Sequence, residues 1–586
     1  MYSRRKRLHM LPPLILLGLV AGLLLTACGG NTNVATNNSK AAANQQILVQ
    51  PISGYSDIQT LDPALANEIP ALNVDNMLYS GLVQLNNKLQ VQGELASSYS
   101  VAPDGITWTF KLKPNTTFSD GQSLTSADVA FSIDRALEPT LKSSVSPAYL
   151  GLIKDAARRN HGEIKTLIGD SLLTPDKQTI IIKTSKPAAY FLQTLTYQCS
   201  FVVEKSLIDK YGNDFSDHLN EGIGGSGPWM VSQYIHNKEI DFVPNPKYFG
   251  PKPQLKKVVM PFVREGDTTY KLYQSNQVDS APIPSTQIAN ARSQLGTQFH
   301  QQPLLDVYYL SLNYLAKPFD NIKIRQAFDL AINKDAIAHN VFHDMVIPTN
   351  HIVPSGMPSY NANLTGSQTH KGTNSDVQLA RQLFNQGLKE EGLTLADLPP
   401  ITFTTASQGS ADKRNEYSAL QQMWESALGV NVKIDDIELT RLYSERSATV
   451  NNPNGLQLHT LDWIADYPDP QNWLTLLFDQ GSPKNAGNYG QNHTSNAIQQ
   501  QANQRLLEQA DVNQNPAERL KQYNQAEQAL INDVAWIPIY QNTNVLVRKS
   551  CVVGIVDNAQ NMIPPADWGN IYISTATPCA NTSQYQ

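Results

Sequence analysis

The chain has 586 residues, with 45 Lys and Arg against 51 Asp and Glu, and a formal net charge of −6. That balance lacks the basic excess with which proteins neutralise phosphates, so a nucleic-acid partner is excluded. The length exceeds what one hydrophobic core supports, and more than one domain is expected.

In chain order, Arg4, Arg5, Lys6 and Arg7 come first, and an apolar run from Leu14 to Leu25 follows. A membrane-spanning helix needs about 20 apolar residues, and Pro12-Pro13 leaves a shorter run than that. Positive flank, short apolar stretch and a small residue before a cysteine make an export signal. Leu25-Thr26-Ala27-Cys28 resembles a bacterial lipobox. The resemblance implies cleavage before Cys28, diacylglycerol on its sulfur, and a protein held to the cell membrane on the extracytoplasmic side. Residues 1–27 are therefore expected to be a lipoprotein signal peptide, and without them the net charge is −10. Residues 28–45 are polar and without periodicity, so a flexible tether is expected there, with the folded part starting at 46.

Beyond the tether, strands and helices mix throughout. Ile106–Leu112 alternates, with Trp108, Phe110 and Leu112 on one face, which predicts a strand. Thr125-Ser126-Ala127-Asp128 has the form of a capping box, and Val129, Ile133 and Leu137 follow as one helical stripe. Arg414–Leu428 predicts a helix stopped by Gly429, then a strand over Val430–Ile434. Ile498, Ala502, Leu506 and Ala510 predict a second buried stripe, and Leu520, Tyr523, Ala526 and Leu530 a third. Trp536–Tyr540 is apolar and extended, with Pro538 marking an edge or a crossing segment. The class is mixed α/β with several lobes. Cysteines are sparse, and in an oxidising compartment Cys551 with Cys579 is the simplest pair.

Several segments recur in the order found in one family. They are Leu61-Asp62-Pro63-Ala64, Tyr79-Ser80-Gly81-Leu82, Phe118–Gly121, Gly225-Ser226-Gly227-Pro228-Trp229, Ile324–Ala327 with Ala331–Lys334, and Trp463–Pro470. Together they resemble the peptide-type solute-binding lipoproteins of ABC importers, the oligopeptide- and dipeptide-binding proteins (extracellular solute-binding family 5). The resemblance implies a two-lobed periplasmic-binding-protein-like clamshell with a hinge and an additional inserted domain. It places lobe I at 46–90, 200–307 and 535–586, the inserted domain at 91–199, and lobe II at 308–534. It also implies a monomer that captures a small peptide between its lobes and hands it to ABC permease membrane subunits. The alternatives are the same fold with a saccharide, opine or metal chelate as cargo, or a surface-anchored hydrolase.

By the same resemblance, Asp466 pairs with the ligand's α-ammonium, and Trp463, Ala465 and Tyr467 complete the ligand site. The bland alternatives are a turn cap for Asp466 and core packing for Trp463 and Tyr467. Asp469, between two prolines, reads as structural. Ile464 stands where some relatives carry a disulfide cysteine. Gly222–Gly227 satisfies G-x-G-x-x-G, but Pro228–Val231 reads as a strand where a dinucleotide site needs a helix. His339 and His343 are four apart with nothing to complete a ligand set, so no metal and no cofactor are expected. No nucleophile elbow or phosphate loop occurs, and an enzyme is not expected.

Overall fold

The computed structural model describes residues 39–585. The segment expected to be a signal peptide, Cys28 and most of the expected tether lie outside the described residues. Within them, no helix is long and apolar enough to cross a membrane.

Three sheets carry the fold. The first runs in the order Ile47–Val49, Lys257–Val263, Glu239–Pro244, Trp229–Ile235; its first pair is parallel and the others antiparallel. Val258, Ile240, Phe242 and Trp229 share a buried cluster with Val74, Met77 and Leu78 of the helix Ile69–Leu78. Gly225 and Gly227 cross the end of that helix. A Cβ on Gly225 would stand 2.3 Å from the Leu78 carbonyl oxygen, and one on Gly227 would stand 2.4 Å from that of Met77. The glycines serve this close approach, and the strand beginning at Trp229 follows directly.

The second sheet is antiparallel: Ala96–Val101, Thr107–Leu112, Thr179–Lys183, Leu172–Asp176. Trp108, Phe110 and Leu112 point into its core, as the alternation predicts. The helix Ser126–Ala136 closes that core, with Val129, Ile133 and the following Leu137 buried. Its capping box is formed: Asp128 Oδ2 accepts from the Thr125 N–H at 2.8 Å.

The third sheet contains the two longest strands, Phe299–Leu312 and Ile537–Arg548, paired antiparallel. Fourteen extended residues span about 45 Å, which is enough to run from one core to another. At one end, Val547 and Phe299 pack with Ile47, Val49 and Val259 of the first sheet. At the other, Leu310, Leu312, Ile537 and Ile539 join Phe403, Trp424 and Val432. Register shifts interrupt the pairing between Pro303 and Val307 and again at Tyr308/Tyr309. Two bodies joined by a continuous ribbon make a two-lobed clamshell with the ribbon as hinge. Beyond the ribbon the sheet continues with Leu458–Ile464, Ile401–Thr405 and Val432–Asp436. The helix Ala411–Leu428 stops at Gly429, whose φ is +73°.

Three findings depart from the sequence reading. The described end of the expected tether, 39–45, lies against the body. The Ala41 N–H donates to the Ile573 carbonyl at 2.9 Å, and Lys40 bridges Ser574. Backbone pairing of this kind needs no apolar period, so the sequence does not show it. The helix Ala497–Val512 does not bury the Ile498 stripe: Ile498 is 73% exposed, and Gln500, Asn503, Gln504 and Leu507 face inward instead. Two of those amides donate to backbone carbonyls, Gln504 Nε2 to Phe478 at 2.8 Å and Asn503 Nδ2 to Ala526 at 3.1 Å, while Gln500 Oε1 accepts from the Gly490 N–H at 3.2 Å. The strand expected over 430–434 is observed at Val432–Asp436. Cys551 and Cys579 are bonded, with Cα atoms 5.6 Å apart, and Cys199 is a buried thiol.

Candidate ligand-binding site

The Leu458–Ile464 strand positions the site. Leu458 and His459 pair with Phe403 and Thr404 on one side, but from Thr460 onward the strand has a partner only on the other, the Phe299–Leu312 strand. The Ala465 N–H donates to the Leu305 carbonyl at 2.9 Å. Backbone groups alternate sides along an antiparallel pair, so those of Trp463 and Leu461 also face this partner, while those of Ile464 and Asp462 face the open side. Ile464 is 55% exposed, and Asp462 is exposed beside it. Ala465, expected to touch ligand, thus has its own N–H engaged within the sheet; the free main-chain groups belong to Ile464 and Asp462.

The chain turns immediately after the strand, and Asp466 sits in the turn. Asp469 caps the short 3₁₀ turn Pro470–Asn472 by accepting from the Gln471 N–H at 3.0 Å. Arg519 clamps the same carboxylate through two bonds of 2.6 and 2.8 Å, both groups being nearly buried. The structural reading of Asp469 follows from this pair. The turn delivers the fully buried Asn472 under Asp466. Asn472 Oδ1 accepts from the Asp466 N–H at 3.0 Å and from Trp463 Nε1 at 3.3 Å, and its Nδ2 donates to Asp466 Oδ2 at 3.0 Å.

The remaining Asp466 oxygen reaches the other body. Oδ1 accepts from the Tyr149 hydroxyl at 2.9 Å. Tyr149 stacks on Tyr197 with centroids 3.6 Å apart, which fixes the ring. Burial, and then the Asp466 charge, push the Tyr149 hydroxyl far above the ordinary tyrosine range, so it stays a proton donor. Asp466 is half-buried and held by neutral donors, and none of the ion pairs among the described residues includes it. A carboxylate so placed has no counter-ion of its own and is open to an incoming cation.

The aromatic residues divide. Trp463 is half-buried, anchored through Asn472 and packed on the second lobe's core. Tyr467 is buried, 7% exposed, and belongs to the core around the second sheet, lying parallel to Tyr190 at 6.1 Å. In this arrangement Tyr467 is packing rather than a ligand wall, because its ring fills space between the two bodies. His339 pairs with Asp344 at 3.2 Å, while His343 lies beyond the helix Lys334–Asn340 in a left-handed conformation. The two histidines share no ligand set.

Sequence reasoning missed Asn472, Tyr149, Ile464 and Asp462. An Asn closing a Pro-initiated turn after Asp466 was a local signal. Tyr149 offered none, since it lies 317 residues away.

A two-lobed body with an inserted domain, a hinge ribbon and an open strand edge beside an unpaired carboxylate defines the class of ligand-trapping extracytoplasmic proteins. Residues 90–485 match the model of bacterial extracellular solute-binding proteins, family 5 (middle). The chain belongs to that family. Over 561 residues it is 26% identical to the oligopeptide-binding protein OppA of Bacillus subtilis, covering 93% of this chain and 96% of the relative. The fold superposes on the unliganded open form of the periplasmic murein tripeptide-binding protein MppA with a TM-score of 0.76 at 23% identity, covering 92% of this chain and 99% of that one. On Haemophilus influenzae OppA in complex with the peptide RPPGFSPFR the TM-score is 0.66 at 21% identity, covering 90% and 99%.

Proposed function

We propose that the protein is the substrate-binding component of an ABC importer, capturing oligopeptides or dipeptides between its lobes for delivery to membrane permease subunits. The observation that carries this reading is the junction of an open strand edge with the unpaired Asp466 carboxylate. An extended peptide added at Ile464 and Asp462 satisfies its own amides on the protein's main chain, which gives affinity without reading side chains. Its α-ammonium then meets Asp466 in a setting where Tyr149 and Asn472 hold the carboxylate but do not neutralise it. Names of relatives that bind oligopeptides support the same cargo.

The proposed partition is lobe I at 46–90, 200–307 and 535–586, an inserted domain at 91–199 and lobe II at 308–534; the clusters around the first and second sheets support it, while Ile537, Ile539 and Tyr540 pack with residues of lobe II. Anchorage through a lipid on Cys28 and a monomeric state belong to the same reading, as does the absence of turnover.

Calorimetry with matched peptides tests the cargo. Peptides with free amino termini are expected to bind, their N-acetylated forms to bind at least about 100-fold more weakly, and Asp466→Asn to erase the difference. Equal affinity for both forms in the wild-type chain rejects the site. Anchorage is tested by fractionation, Cys28→Ser being expected to lose fatty-acid labelling.

A further inference from the structure

The open edge carries more charge information than strand addition requires. On the face of the sheet shared by Ile464 and Asp462, the neighbouring strand places Asp306 directly opposite Ile464 and Tyr308 opposite Asp462. Asp306 and Asp462 are therefore diagonal neighbours on one face, within reach of a common long side chain. Asp306 is 8% exposed and its Oδ1 has no hydrogen-bond partner. Burial, and then the Asp462 charge, push its carboxyl up to about 7, against the lowering effect of a bond from Asn542 and of the Lys413 charge.

Two cations lie near them, and each has partners elsewhere: Arg446 donates to the Lys484 carbonyl at 3.1 Å. Lys413 Nζ bonds the Tyr540 hydroxyl at 2.6 Å, lies 3.4 Å from Glu416 Oε2 and sits 3.4 Å over the Tyr308 ring. Glu416 is fully buried, so it holds Lys413 as its counter-ion. Neither Asp306 nor Asp462 forms an ion pair among the described residues, although the Lys413 charge reaches Asp306. Tyr443, 47% exposed, lies near enough to Asp462 to feel its charge and offers an aromatic surface at the same edge. Two carboxylates outside any ion pair among the described residues, one buried with an orphan oxygen, beside an exposed ring and free main-chain groups make a receptor for a positive side chain.

We propose that Asp462 and Asp306 select ligands carrying a Lys or Arg side chain at the residues lying against Ile464 and Asp462. The proposal rests on the peptide reading of the site. A ligand whose ammonium meets Asp466 runs antiparallel to the Leu458–Ile464 strand. With its first residue opposite Ala465, so that the ammonium beyond it reaches Asp466, one residue of ligand per residue of strand puts the second residue opposite Ile464 and the fourth opposite Asp462, with those two side chains on the acidic face. The third residue points to the other face.

The test uses alanine pentapeptides with Lys at position two, three or four, each matched with uncharged norleucine, and isothermal calorimetry at neutral pH. The Lys peptide is expected to bind about tenfold tighter than its norleucine match at positions two and four, with no difference at position three. Asp462→Asn is expected to lose the Lys preference at position four, read as the Lys-to-norleucine affinity ratio within the same variant. Asp306→Asn is expected to lose it at position two. Equal affinities at both positions, or a preference that survives both variants, overturns the proposal and leaves peptide capture standing. A chain that binds none of these peptides overturns both.

Discussion

The Tyr149 hydroxyl donates to Asp466 Oδ1 across 2.9 Å, although 317 residues separate the two. One bond thus ties the body that holds the second sheet to the turn that ends the open strand. The donor is neutral, and it orients the carboxylate without cancelling its charge.

Tyr149→Phe is expected to weaken binding of a free-amino peptide about tenfold, the lower end of what the loss of one hydrogen bond to a charged group costs. The ring still stacks on Tyr197, so thermal stability should stay within a degree or two. Calorimetry and thermal unfolding of the same preparation separate the two effects. A loss of stability without a loss of affinity counts against the orienting role.

Asn472→Ala should do more. It leaves the Asp466 N–H, the Trp463 indole and Asp466 Oδ2 without the partner they share. A destabilisation of about 1–3 kcal/mol is expected from the orphaned groups, with a larger affinity loss than for Tyr149→Phe because the turn itself moves. Denaturant unfolding gives the first quantity and titration the second.

Stability should fall as the solution is made alkaline. Glu527 is fully buried, and burial outweighs the two bonds its Oε1 accepts from the Ile352 and Val353 N–H groups, which raises its carboxyl to about 8. A raised folded value means the native state binds the proton more tightly than the unfolded chain. The proton is kept at low pH, and stability is lost between about pH 4.5 and 8 as the unfolded chain releases it first. Glu527→Gln keeps the acceptor and removes the titration. Its stability relative to wild type should rise by up to about 3 kcal/mol between pH 5 and pH 8, read from urea midpoints; a pH-independent gap refutes the assignment.

The Cys551–Cys579 bond closes a 28-residue separation, worth about 3 kcal/mol in the chain-entropy account. It ties the segment after the hinge ribbon to the C-terminal end, where Asp279 accepts from the Val49 and Ala580 N–H groups at 2.9 Å. The double variant Cys551→Ser/Cys579→Ser should lower the unfolding midpoint with ligand affinity unchanged, since neither cysteine lies near Asp466. Wild-type protein under reductant should match it.

Much of the local structure was legible because its causes are local. The capping box at Thr125–Asp128, the alternation from Thr107 to Leu112 and the stop at Gly429 each depend on residues within a turn or two. The helix Ala497–Val512 was misread for the complementary reason. The inward amides of Asn503 and Gln504 are bonded to carbonyls of Phe478, Tyr489 and Ala526, and no apolar period records such partners.

The sequence by itself determined the family, the α/β class and the carboxylate to look for, because ordered motifs and periodicities survive without coordinates. Only the tertiary structure decided what surrounds that carboxylate. It showed Tyr467 packed away, Ala465 engaged with Leu305, and Ile464 and Asp462 left on a bare edge beside Asp306. Strand pairing and contacts between bodies join residues hundreds of positions apart, and burial and charge at such a meeting are properties of the assembled neighbours rather than of any segment.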